Sequence, residues 1–145
     1  MKAYTLLFLR ITTGLLIAIW GLIKILSPQI AAKVSDKYYG GAISSDALQM
    51  PLGFLQALFG VVIILGVFRK VIYPLQSIFL GFGLLAIWKH IFDPLGLYLL
   101  TPATSQVLFF PSLTVFAATL ILIAFKEDDV ISWDAIRSQS EANQV

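Results

Sequence analysis

Apolar residues in this chain gather into long unbroken runs, and short polar clusters separate the runs. The first run covers residues 3–26 and carries Arg10 and Lys24. The second covers 51–68 and stops at Arg69-Lys70. The third covers 71–92, with Lys89-His90 near its end, and the fourth covers 105–125, closed by Lys126-Glu127-Asp128-Asp129. About 20 apolar residues in a helix cross the roughly 30 Å hydrocarbon core of a bilayer, so all four runs qualify as spans. None shows the alternation of a transmembrane barrel strand. Pro51, Pro74 and Pro111 are expected in or next to a first helical turn, where a missing N–H costs little. The predicted fold is an all-α membrane protein: a four-transmembrane-helix bundle, up-down-up-down, over residues 1–127. A long first outer loop joins helices one and two, and a polar tail occupies 128–145.

Composition agrees. The 145 residues are 59% hydrophobic and 12% charged, with mean hydropathy +0.89, whereas a soluble domain carries about 25% charged residues. So little charge cannot cover a water-facing surface. The net charge of +2 reads as loop lysine and arginine setting orientation, not as a nucleic-acid surface. With no cysteine, disulfides, thiol redox chemistry and thiolate metal sites are excluded. A single histidine, His90, argues against a multi-histidine metal or haem site. The first run is long, holds Arg10 and lacks a small-x-small cleavage site, so it reads as a retained helix rather than a signal peptide.

Four spans put both ends of the chain on one side, with Lys2, Arg69, Lys70, Lys126 and Arg137. Lys24, Lys33, Lys37 and Lys89 fall on the other. That bias predicts cytoplasmic termini. The outer loop, 27–50, contains Tyr38-Tyr39-Gly40-Gly41; its length suits a functional loop and its tyrosines an interfacial belt. In the tail, Val130, Ile131, Trp133 and Ile136 could lie on the membrane surface for a turn or two, the other reading being a disordered segment.

Helices in lipid approach closely through small residues. Gly14, Ala18 and Gly21 supply such a stripe on the first helix, Gly53, Ala57 and Gly60 on the second, and Ser77 with Gly81 on the third. Residues 14–20 are faintly echoed by 83–88, as two similar hairpins would produce.

Polar residues within the spans concentrate near the outer interface. Trp20 and Lys24 share a face of helix one, Gln56 sits about a turn inside helix two, and Trp88, Lys89, His90 and Asp93 end helix three. The functional reading is a shallow cationic, aromatic-lined site. Lys24 and Lys89 would attract an anion or a quinone oxygen, Trp20 and Trp88 would stack on a flat ring, Gln56 would hydrogen-bond, and His90 beside Asp93 would relay a proton. The structural reading makes them snorkelling lysines and a tryptophan belt. On the inner side Arg10 is expected to pair with the acidic cluster, Glu127 first among it, or with lipid headgroups, as a structural anchor. No catalytic residue, phosphate loop or metal-ligand spacing stands out, and Gly81-Phe82-Gly83 reads as packing.

Leu9-Arg10-Ile11-Thr12-Thr13-Gly14, leading to Trp20-Gly21-Leu22-Ile23-Lys24-Ile25-Leu26, resembles the first helix of the DoxX-like family. Gly53-Phe54-Leu55-Gln56, then Gly60, Gly66 and Arg69-Lys70, resembles its second; helices three and four match only in length and order. Many relatives carry glutamate where this chain has Gln56, which takes away an acid/base role there. The resemblance implies a four-helix protein of the bacterial inner membrane. It also implies an accessory subunit of a quinone-linked redox complex, with quinone as a non-covalent ligand and other membrane or redox subunits as partners. The alternative is a structural subunit that docks a larger partner, with self-association into a homo-oligomer also open. A small transporter is the weakest reading, for lack of a broken midplane helix.

Overall fold

Each apolar run becomes helix, because only helices satisfy every backbone polar group within one segment in an apolar surrounding. The computed structural model describes residues 1–39 and 45–142; Gly40 and Gly41 of the outer loop and the last three residues of the tail lie outside them. Among the described residues the chain is all-helical: α1 (Lys2–Leu26), α2 (Pro28–Tyr38), α3 (Asp46–Leu65), α4 (Arg69–Ala86), α5 (Trp88–Phe92), α6 (Pro111–Ala124) and α7 (Trp133–Ala142). Short 3₁₀ turns occupy Val107–Phe109 and Lys126–Asp128.

Among the described residues, three helical stretches are long and apolar enough to cross a membrane: α1, α3 and the turn-plus-α6 stretch over Val107–Ala124. The third expected span differs. Arg69 and Lys70 occupy the first turn of α4, and the helix breaks at Ile87 before α5 resumes. The expected 71–92 helix is therefore two pieces, and the 18 residues of α4 rise about 27 Å, slightly short of the hydrocarbon core.

The outer loop also differs from expectation. Pro28 takes a first-turn position and starts α2, an amphipathic helix that buries Ala31, Ala32 and Ser35. Its Gln29, Ile30, Lys33 and Lys37 stay exposed. Helix α3 begins at Asp46, so Pro51 lies inside it rather than in its first turn, as Pro74 does in α4. Of the three prolines expected in or next to first turns, Pro111 alone sits at a helix start.

Helices α1 and α3 form a tight antiparallel pair. A Cβ added at Gly60 would lie 2.6 Å from Ala18 N and Gly14 O, and one at Gly21 would lie 2.5 Å from Ala57 N. The two small-residue stripes thus face each other at backbone contact, where dispersion replaces the missing hydrophobic drive. Helices α4 and α6 pair through a hydrogen bond donated by Ser77 Oγ to Thr119 Oγ1 at 2.8 Å and through Gly81 against Phe116. Leu6, Tyr73 and Leu122 join the two pairs, with Leu9, Ile72 and Ile123 around them. The echoed glycines are not equivalent: Gly14 is clamped by α3, whereas Gly83 meets nothing within 4 Å.

Outside these contacts the surface is strongly apolar. Phe8, Leu22, Phe54, Leu58, Ile78, Phe82 and Leu85 are all exposed. Soluble monomers rarely show such continuous apolar surface, and the arrangement is compatible with a multi-pass membrane protein.

Candidate functional site

Polar side chains collect at the two ends of the bundle. The proximal end holds Lys2, residues 66–69 and residues 126–134; the distal end holds α2, α5 and residues 93–106.

At the distal end the six expected site residues separate into four groups. Lys24 and Gln56 border the contact of α1 with α3. The Lys24 stem lies against Gly53, where a Cβ would come within 2.9 Å of Lys24 Cβ. Gln56 lies three residues beyond Gly53, with its Oε1 buried and without a hydrogen-bond partner. Trp88 points outward with its ring against Phe92, and Lys89 Nζ lies 5.8 Å over the Trp88 ring. Trp20 is exposed on α1. His90 belongs to a different assembly: its ring lies edge-on to Tyr38 at 5.6 Å and to Phe109 at 5.2 Å, and those two rings meet at 4.8 Å. This trio ties α2 to α5 and to the turn before α6. The Nδ1 of His90 is buried and without a hydrogen-bond partner.

Asp93 does not form the proton relay expected with His90. Its carboxylate accepts the backbone N–H groups of Leu97, Tyr98, Leu99 and Leu100 at 2.7 to 3.0 Å. Burial alone would raise its pKa, but the four N–H donors hold the carboxyl well below the usual carboxylate range. Gly96, at φ +70°, lets the loop fold back around it. Asp93 is thus the organiser of this loop.

The proximal end is more tightly built. Arg10 is buried within α1, and its Nη1 meets Asp129 Oδ2 at 2.7 Å; the two side chains are 3% and 1% exposed. Its Nε donates to Ile64 O at 3.1 Å and its Nη2 to Ile131 O at 2.8 Å. Tyr73 Oη also donates to Asp129 Oδ2. The sequence expectation named Glu127 for this pairing; the observed partner is Asp129, while Glu127 is exposed with its carboxylate 4.0 Å from Lys126. Only Asp129 turns inward, because the 3₁₀ turn over Lys126–Asp128 reverses the chain under the bundle. Burial of Arg10 also removes it from lipid headgroups.

Gly66 makes this approach possible. It ends α3 in the left-handed conformation at φ +70°, and a Cβ there would lie 2.8 Å from Arg10 Nη1 and 2.7 Å from Ser132 Cβ. Phe68, a left-handed non-glycine residue at φ +52°, is held by Asp134. One Asp134 oxygen accepts Phe68 N at 3.1 Å and the other Arg69 N at 2.8 Å, capping α4. Arg69 Nη1 in turn donates to Lys126 O and Asp129 O at 2.6 and 2.7 Å. Part of the expected free tail therefore folds back: Asp129, Ser132 and Ala135 are buried, while Val130, Trp133 and Ile136 stay exposed. Residues from α1, α3, α4 and the segment after α6 are fastened at one point.

Two clefts among the described residues lie elsewhere, and neither is lined by the six distal residues. One, of about 440 Å³, is an apolar groove between α4 and α6 along Ser77, Gly81, Leu85 and Phe116. The other, of about 500 Å³, lies at the proximal end beside Arg69, Lys70 and Lys126. Compared with protein-family models, curated proteins and solved structures, the chain matches none.

Proposed function

We propose that this chain is a four-span, DoxX-like protein of the bacterial inner membrane, with its proximal end cytoplasmic. In this reading it is an accessory subunit that holds a larger membrane or redox partner without chemistry of its own. The observation that carries it is the use of the polar residues. At the proximal end Arg10, Tyr73, Asp129 and Asp134 are engaged in bonds that fasten the bundle, and the long apolar faces are left outward. Helix α4, extended by α5, is the third span in chain order, slightly short and anchored by Arg69 and Lys70. The test is the mass of the protein extracted from its native membranes in mild detergent. A stoichiometric complex with a second protein is expected, and a lone monomer would overturn the reading. A reporter fused after Val145 should be active in the cytoplasm; periplasmic activity would reverse the orientation.

The distal amide favours a second reading, a quinone-linked role. Gln56 Oε1 is buried without a partner, one turn along α3 from Gly53, against which the Lys24 stem lies. In this reading the purified protein binds a quinone, and Lys24→Ala weakens that binding. Absence of binding at saturating quinone would remove the reading.

A further inference from the structure

We infer that the proximal cleft is a binding site for the phosphodiester headgroup of an anionic phospholipid. The inference rests on reading the chain as a membrane protein.

The cleft has one wall from the first turn of α4 and another from the 3₁₀ turn after α6 with α7. Three cations line it, Arg69, Lys70 and Lys126, against two acids, Glu127 and Asp134. The acids offset two of the three positive charges and leave the lining cationic by one. Asp134 is occupied by the backbone N–H groups of Phe68 and Arg69. Glu127 is 79% exposed on its side chain and stands 4.0 Å from Lys126, the outer limit of an ion pair. Two lysines therefore face a cleft in which one loosely held carboxylate opposes them.

Arg69 supplies a fixed donor set. Its Nη1 is anchored on Lys126 O and Asp129 O, while its Nε is buried with no hydrogen-bond partner and only 3.9 Å contact with Asp134. A phosphate oxygen is the acceptor that matches a guanidinium and two ammonium groups at one place.

Depth and surroundings select a lipid as the source of that phosphate. The cleft lies where the apolar part of α6 gives way to Lys126 and where α4 begins, the level of headgroups once the helices span a bilayer. Phe68 and Val71, 70% and 65% exposed, flank the lysines. These apolar neighbours suit the glycerol and upper acyl chain of a lipid and give nothing to a free ion.

The test uses the purified full chain in mild detergent, read by native mass spectrometry with added phosphatidylglycerol or phosphatidylcholine of matched chains. Preferential retention of phosphatidylglycerol is expected. The double variant Lys70→Gln/Lys126→Gln should lower that affinity by roughly tenfold or more, and Glu127→Gln should raise it. Lys33→Gln/Lys37→Gln, at the distal end, should leave it unchanged. Equal retention of both lipids by the wild type, or a preference that survives the Lys70/Lys126 double variant, would overturn the inference. If inorganic phosphate at matched concentration displaced phosphatidylglycerol completely, the site would be one for free phosphate and the lipid assignment would fall. A carbonate wash of native membranes separates the two levels. A protein that stays in the pellet but shows no headgroup preference fails only here, whereas release into the supernatant sinks the membrane reading itself.

Discussion

Asp129→Ala removes the carboxylate that faces Arg10 and leaves a guanidinium inside the bundle. Both side chains are nearly inaccessible, at 3% and 1%, so solvent screening gives no relief. Breaking a buried pair by deleting one partner costs about 3–5 kcal/mol. The lost acceptor of Tyr73 Oη adds about 1 kcal/mol if the hydroxyl finds no other partner. Arg10 keeps its bonds to Ile64 O and Ile131 O, which hold the charge in place rather than neutralise it. Denaturant titration of the purified protein in mild detergent micelles measures the loss. The paired replacement Arg10→Met/Asp129→Leu should recover most of it, because a buried ion pair exchanged for apolar groups of similar size is often near neutral. The reasoning is refuted if Asp129→Ala unfolds at the same denaturant concentration as the wild type, or if the double variant is no better than the single one.

Further outcomes follow from other sites. Gly60→Ala places a methyl 2.6 Å from the α1 backbone and should cost about 1–3 kcal/mol, whereas Gly83→Ala meets open space and should be neutral or gain up to about 1 kcal/mol; the same titration compares them. Gln76 is fully buried with neither amide atom hydrogen-bonded, so Gln76→Met should stabilise the ligand-free protein by about 1–3 kcal/mol, and a clear loss of stability would contradict that. Asp93→Ala should speed hydrogen exchange at Leu97, Tyr98, Leu99 and Leu100. Because the folded Asp93 pKa is depressed, its contribution is complete above the ordinary carboxylate value and is lost as pH falls through the lower folded value. Protection of those four amides should therefore persist at neutral pH and fade only in strong acid.

Much of the architecture was legible in the residue pattern, because its cause is local. Unbroken apolar runs make helices in any apolar solvent, and the glycine stripes of α1 and α3 mark where backbones can touch. Arg10 had to find an acid, and the only acidic cluster near that end follows α6. The choice of Asp129 over Glu127 was not legible, since it depends on a 3₁₀ reversal that no residue spacing announces. Nor was the breadth of the fastening, which draws Tyr73, Asp134 and Gly66 from distant positions; Gly66 alone carried a signal, as the glycine closing an apolar run. Helix α2 was hidden because its short amphipathic pattern is weak beside the runs around it, although Pro28 suits a first helical turn. At the distal end the polar residues could be named, but their grouping depended on chain reversals: Asp93 turned to its own loop and His90 to Tyr38 and Phe109.

The fastening of Arg10 by Asp129 spans 119 positions of the chain, which sets an order of events during synthesis. At roughly 5–20 residues per second, the arginine would wait about 6 to 24 s before its counter-ion exists. Throughout that interval α1 would carry an unpaired cation two turns from its start, close enough to the interface to remain hydrated. In the membrane-spanning reading proposed above, α1 gains its buried counter-ion only once Asp129 has been made, so the last fastening of the bundle waits on a late arrival rather than on the first helix to enter.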